Sequence, residues 1–249
     1  MPLKLSNRMS LYAQSIMGWA TFPLWGGGII AAMRLFKRYQ IDGLAEVRHR
    51  FDEIRRSAKG PILLCVNHLT KIDSVVLNWA LASVSSYMRD FRRFSWNMPE
   101  RARYHGHPVL RMLCYLGQCI PVDRGGSREA VKQSLEKVSF LLRRGHMVTL
   151  FPEGSRSRSG RVDTEGFSYG PGRLIRQLEP CTALCVYLRG HNQVDATSLP
   201  PRGAKFYLQM DAFQPTSAQN GLRATRDIAA QIVHKLSQME QAYFAARGQ

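Results

Sequence analysis

The chain has 249 residues, room for one large α/β domain or a domain with a small appendage, and its 45% hydrophobic and 10% aromatic content supplies a core, which excludes a disordered or low-complexity protein. Lys and Arg total 35 against 18 Asp and Glu, a net charge of +17 carried by 27 arginines and 8 lysines, so an anionic partner is expected: nucleic acid, anionic lipid or a phosphorylated ligand. Five cysteines (Cys65, Cys114, Cys119, Cys181, Cys185), odd in number and without any C-x-x-C, each sit in an apolar run; they read as reduced thiols of a cytosol-facing protein, with no disulfide framework and no metal site.

From Leu11 to Met33 no residue is charged, and no acidic residue precedes Asp42. As one helix these 23 residues would rise ~34 Å, enough to cross a bilayer. Pro23 and the run Gly26, Gly27, Gly28 argue instead for two short halves, a bent hairpin lying in one leaflet, with Trp19 and Trp25 at the headgroup boundary. Both dipping and spanning fit the composition. A cleaved signal peptide fits less well, because the stretch runs into basic RLFKRYQ rather than a small-residue cleavage site. Residues 1–41 are therefore expected to form a membrane-associated helical segment, and residues 42–249 an α/β domain.

In that second part, Asp42 to Lys59 carries Leu44, Val47, Phe51 and Ile54 at helical spacing. Pro61 to Val66 reads as a buried strand, and Asp73 opens a helix through SVVLNWALASVSS. Strands are expected at Arg92–Met98 and Gln118–Val122, a helix from Ser127 to Arg144 closed by Gly145, and a strand over His146–Phe151. Two more strands, Thr182–Leu188 and Ala204–Met210, precede a final helix over Gly221–Ala246. The alternation predicts a mostly parallel central sheet flanked by helices. Ser155–Gly170 is the longest irregular stretch, and such loops are often functional.

Two segments carry chemistry. Asn67-His68-Leu-Thr-Lys-Ile-Asp73 follows the first buried strand, where open α/β sheets place their sites. A histidine there can take a proton from a hydroxyl, provided that a carboxylate fixes its tautomer. Residues five apart on one continuous helix are rotated by ~140° and do not meet, so the pair requires His68 in the loop and Asp73 at the helix start. Aspartate at that position also serves as an ordinary helix N-cap. Phe151-Pro-Glu-Gly-Ser-Arg-Ser157 closes a later strand, with Glu153 held in a Pro/Gly turn and Arg156, Arg158 and Arg161 following. Ile120-Pro-Val-Asp-Arg124 is a third strand end bearing a cation.

In this order the three segments resemble the first three blocks of the lysophospholipid acyltransferase superfamily, with the 1-acylglycerol-3-phosphate acyltransferases as the nearest branch; the likeness covers roughly residues 60–188. It departs at Cys181-Thr-Ala-Leu-Cys-Val186, which lacks the inner proline of the fourth block, and Ser155 stands where threonine is commoner. The resemblance implies that His68 deprotonates an acceptor hydroxyl that attacks an acyl thioester of coenzyme A or acyl carrier protein, with Asp73 orienting His68. Arg124, Glu153, Gly154, Ser155 and Arg156 would form or shape the site for the acceptor's phosphate. A thioester is already activated, so no cofactor or metal is implied beyond the acyl-CoA or acyl-ACP co-substrate. The expected partners are a lysophospholipid and an anionic membrane surface, on the cytoplasmic face of the inner or plasma membrane. The acceptor is expected to be lysophosphatidic acid, with another lysolipid such as a lyso-aminolipid as the alternative.

Rival readings rest on single features. Gly166-Phe-Ser-Tyr-Gly170 spells a nucleophile elbow, but polar Arg161–Glu165 precedes it where a buried strand is required. Cys65 as an acyl acceptor competes with the ordinary reading of a buried thiol. The +17 charge also admits nucleic-acid binding, although no finger, zipper or RNA motif accompanies it, and no nucleic-acid partner is expected. A catalytically silent relative that binds lipid is the remaining alternative.

Overall fold

The computed structural model describes residues 3–123, 126–157, 159–193 and 199–248. Helix α1 (Leu5–Leu35) is followed by a short strand β1 (Gln40–Ile41), helix α2 (Leu44–Ser57) and strand β2 (Ile62–Val66). Helices α3 (Asp73–Leu81), α4 (Val84–Arg89), α5 (Pro108–Leu116) and α6 (Arg128–Arg143) precede β3 (Val148–Leu150). Helix α7 (Gly170–Gln177), strands β4 (Thr182–Gly190) and β5 (Lys205–Phe213) and helix α8 (Gly221–Ala245) complete the chain.

The five strands form one sheet in the order β1-β5-β4-β2-β3. It is mixed rather than mostly parallel. β2 runs parallel to both β3 and β4, and β1 parallel to β5, but β4 and β5 pair antiparallel from Ala183↔Phe213 to Gly190↔Phe206. The cause is the connection: a parallel return needs a crossover, usually a helix, and the stretch between β4 and β5, which contains Pro200 and Pro201, has no described helix.

Side chains alternate across the strands and divide the core. Leu63, Cys65, Ala183 and Cys185 face one apolar layer with α6, α7 and α8, whereas Leu64, Val66, Leu184 and Val186 face another with α2 and α3. The expected strands at Arg92–Met98 and Gln118–Val122 reduce to single bridges, Trp96↔Val148, Asn97↔Cys119 and Glu100↔Val122. The first run opens in a 3-10 turn at Phe91–Arg93, and Pro121 brings no N–H to a ladder in the second. The helix expected to run on from Asp73 breaks at extended Ala82, and Ser83 caps a new one by accepting from the Ser86 N–H at 3.2 Å.

The expected N-terminal hairpin is also corrected. α1 is one 31-residue helix, ~46 Å long, with Pro23 inside it. Two of its glycines, Gly18 and Gly26, serve packing instead of bending. A Cβ on Gly26 would sit 2.3 Å from the Phe22 ring, and one on Gly18 2.5 Å from the Leu116 carbonyl at the end of α5. Phe22 is buried at the centre of a cluster with Trp25, Tyr87, Phe91 and Phe94, all edge-on within 5.1–5.4 Å of it. Leu11, Gln14, Gly18, Phe22, Gly26 and Met33 form the buried stripe. Met9, Ile16, Met17 and Leu24 remain exposed. Docking along a whole face outweighs the helix cost of about 1 kcal/mol per glycine.

Candidate active site

β2 ends at Val66, and buried Asn67 clips the turn that follows to β4. Its amide donates to the Leu188 carbonyl at 3.0 Å, and its carbonyl accepts the Leu188 N–H at 2.7 Å. His68 therefore leaves the sheet at a fixed point, in the loop, as the pairing with Asp73 requires. Its Nδ1 lies 2.9 Å from Asp73 Oδ2, and its ring stacks on Phe151, 4.1 Å between centroids and 24° between planes.

Asp73 is buried at the first turn of α3, but it does not cap that helix. The cap position is Ile72, with no side-chain bond. The carboxylate turns back into the loop instead, where Oδ2 also accepts the N–H groups of Leu69 (2.7 Å) and Thr70 (2.8 Å), and Oδ1 accepts the Thr70 hydroxyl (2.5 Å). With Asp73 bound by this many donors, the network assigns the proton of neutral His68 to Nδ1 and leaves the Nε2 lone pair unblocked. This is the arrangement of a general base with an oriented, charge-compensated ring.

The loop after β3 holds the other side of His68. Glu153 is buried with its carboxylate turned inward: Oε1 accepts the His68 N–H at 3.0 Å and Oε2 the Asp163 N–H at 3.3 Å. Burial pushes its carboxyl up to about 7, against the lowering effect of those two N–H groups. The His68 carbonyl in turn accepts the Ser157 N–H at 3.0 Å. Gly154 adopts φ +69°, which a side chain would strain. Beside it Ser155 is exposed and Arg156 half-buried, and both line a concavity of about 610 Å³ together with Glu153, Ser157, Ser159, Asp163 and Glu165. Arg124 and Arg158 lie outside the described residues. So the structure brings His68, Asp73 and Glu153 into one hydrogen-bonded unit, with Gly154, Ser155 and Arg156 along its rim.

Two residues outside the three sequence blocks support the site. Buried Glu240 of α8 accepts the Val162 N–H at 3.1 Å and the Tyr187 hydroxyl at 3.3 Å. Buried Arg189, at the end of β4, donates to the Gly160 carbonyl and to that of Gln193, each at 2.5 Å. Together they fasten the irregular segment that carries Arg156. No short motif marks either residue, since the loop groups they hold, the Val162 N–H and the Gly160 carbonyl, lie 78 and 29 positions away in sequence.

The rival features find ordinary roles. No strand precedes Ser168, whose N–H bonds the Pro152 carbonyl at 2.7 Å and whose hydroxyl accepts the Gly170 N–H. Cys65 is fully buried, its thiol pushed well up by desolvation. Among the described residues no group of three or more His, Cys, Asp or Glu side chains is placed to hold a metal.

A family model described as Acyltransferase matches residues 44–189. A curated 1-acyl-sn-glycerol-3-phosphate acyltransferase of Limnanthes douglasii is 28% identical over 96 residues, a stretch covering 39% of this chain and 30% of that protein. The match thus spans under a third of that relative's length. It runs with the resemblance carried by the three sequence blocks.

Proposed function

The chain belongs to the acyltransferase family, and from that premise we propose that it moves a fatty acyl group from an acyl-CoA or acyl-ACP thioester to the free hydroxyl of a lysophospholipid, with 1-acylglycerol-3-phosphate as acceptor and phosphatidic acid as product. The observation that carries this reading is the 2.9 Å contact between His68 Nδ1 and a buried, fully engaged Asp73 carboxylate. His68 Nε2 accepts the acceptor's hydroxyl proton as the oxygen bonds to the thioester carbonyl. Asp73 compensates the imidazolium so formed. When the tetrahedral intermediate collapses, the C–S bond breaks and the proton passes from His68 to the departing thiolate. No cofactor is called for, because the thioester supplies the leaving group.

Arg156 and the Ser155 hydroxyl in the lining of the 610 Å³ concavity are assigned to the acceptor's phosphate; Asp163 and Glu165 also line it, the Asp163 carboxylate accepting the Glu165 and Gly166 N–H groups, and the Ser157 and Ser159 hydroxyls bond each other. Arg124, next to Asp123 in sequence, is assigned to the same role. α1 is the described helix long and apolar enough to cross a membrane. Because one face of it is packed along the domain, we assign it to a position within the cytoplasmic leaflet, opposite apolar face outward, holding the site at the surface where a lysolipid resides.

The test is thiol release from acyl-CoA or acyl-ACP by the detergent-purified full chain, with and without lysophosphatidic acid, beside His68→Ala. Acceptor-dependent release that disappears in the variant supports the reading. Release without acceptor identifies a thioesterase and overturns it, and release only with a lyso-aminolipid moves the proposal to that acceptor.

A further inference from the structure

A second concavity, of about 600 Å³, lies between α1, the turn at Arg101–Arg103 and α5; Ile120 and Pro121 of the second sequence block line it, but none of His68, Asp73, Glu153 or Arg156 does. Four side chains that are or can be cationic converge on it: Arg101, His105, Arg111 and Lys137. Asp123 engages Arg101 at 2.9 Å. No ion pair of Arg111 or Lys137 occurs among the described residues. α1 presents Asn7, Ser10, Leu11 and Gln14 to this space, on one face of the helix. Gln14 is committed to the carbonyls of Tyr115 and Cys119, at 2.9 and 3.1 Å, and so ties α1 to α5.

The two helices that wall the space are unlike ordinary surface helices. α5 has no buried residue: Met112, which lines the hollow, is exposed, as are Val109 and Leu110 beside it, and Leu11 of α1 lines the hollow from the other side. A polar, cationic hollow flanked by apolar side chains on both walls is complementary to an anionic amphiphile. A free inorganic anion would make no use of those walls.

We propose that this hollow binds the phosphate headgroup of an anionic phospholipid from the bilayer, whose acyl chains lie along the exposed faces of α1 and α5. Arg111 and Lys137 supply the unpaired charge, and Ser10 and Asn7 supply neutral hydrogen bonds. The proposal rests on the placement of α1 in the membrane but not on acyl transfer, so its test reads binding and not turnover.

The full chain is floated with vesicles of phosphatidylcholine alone, and with vesicles in which a quarter of that lipid is replaced by phosphatidylglycerol. Arg111→Glu with Lys137→Glu is expected to reduce binding to the anionic vesicles by about tenfold or more, with binding to phosphatidylcholine and the melting temperature unchanged. Arg223→Glu with Arg226→Glu, exposed on α8, makes the same change in net charge and is expected to do far less. If the reversal unfolds the chain, Arg111→Gln with Lys137→Gln tests the same point with a smaller loss. A phosphatidylglycerol carrying a photoreactive tail is expected to label peptides from α1 and α5, and to lose that label in the Arg111/Lys137 variant. Equal loss in both charge variants, or labelling elsewhere, overturns the proposal. Equal binding to both vesicle types overturns it while leaving the membrane placement of α1 intact, and binding to neither overturns that placement as well.

Discussion

Replacing Asp73 by asparagine separates charge from shape at the carboxylate that holds the His68 ring. Four donors converge on the native group, three on Oδ2 and the Thr70 hydroxyl on Oδ1. Asparagine with its oxygen in the Oδ2 position keeps the first three, and its NH2 faces a Thr70 hydroxyl that can reverse to accept, so the loop geometry survives. What is lost is charge assistance. Bonds to ionised groups are worth about 1.5–3 kcal/mol against about 0.5–1.5 for neutral ones. Relief from burying an ion offsets part of this, leaving a net loss of about 1–3 kcal/mol. A domain with about 5–15 kcal/mol of stability remains folded after that loss. Turnover is expected to suffer far more, by about 10³–10⁴-fold, because the imidazolium formed in the reaction loses its counter-charge and the neutral ring its fixed tautomer. Acceptor-dependent thiol release and thermal melting, measured on the same preparation, give the comparison. Activity within about threefold of the native chain, a change of under 1 kcal/mol in the barrier, would refute a charge role for Asp73. So would a rate that falls only as far as the folded fraction does. Asp73→Ala is a different experiment, since it leaves the buried Leu69 and Thr70 N–H groups unpaired at about 1–3 kcal/mol each, and it should threaten folding itself.

Three further outcomes are expected. Because burial raises the Glu153 carboxyl to about 7 from its ordinary 4.5, the folded chain holds a proton that the unfolded chain has released; this contribution is full below about pH 4.5 and is lost as pH rises to about 7. Buried His146, lowered to about 4, contributes the opposite slope, so the readout is the melting temperature of Glu153→Gln subtracted from that of the native chain across this range; a difference flat with pH would refute the assignment. Phe22→Ala removes the centre of the aromatic cluster that docks α1 and should cost about 3–5 kcal/mol; unchanged melting would show that α1 does not pack on the domain as described. Glu240→Ala releases the Val162 N–H and should raise the KM for the acceptor more than it lowers kcat, with Glu240→Gln restoring most of the loss; a fall in kcat alone would place Glu240 outside the loop's positioning.

What could be read from sequence was whatever local pattern determines. Pro61–Val66 and Thr182–Leu188 are apolar runs too short for buried helices, and both are strands. The direction of β5 was open to the same reading, since residues 191–204 offered no crossover helix, but the alternation of helices and strands elsewhere favoured a parallel expectation. α5 and α7 were passed over although each has Pro at its first or second position, a start signal that their length of only nine and eight residues obscured. Other features depend on contacts that no local pattern encodes. Pro23 and three nearby glycines are strong breaker signals, overridden here because the Phe22 ring occupies the space that Gly26 leaves. Asp73 occupies a helix-start position, yet it serves the residues before it and not the helix after it.

The site itself shows why the first and third sequence blocks belong together. The peptide unit of His68 is held at both ends by the loop after β3, its N–H by Glu153 and its carbonyl by the Ser157 N–H. The ring is then fixed from two further directions, by Asp73 on its Nδ1 edge and by Phe151 on its face. Glu153 thus acts through its backbone partners: it is turned inward, and its raised pKa lowers its charge near neutrality. Arg156 follows three residues later on the same loop, so the group suited to hold a phosphate and the group suited to take a proton share one set of hydrogen bonds. A shift of the loop moves both together. On the proposed function, that coupling would set the distance between the acceptor's phosphate and the base, and with it which hydroxyl is presented for transfer.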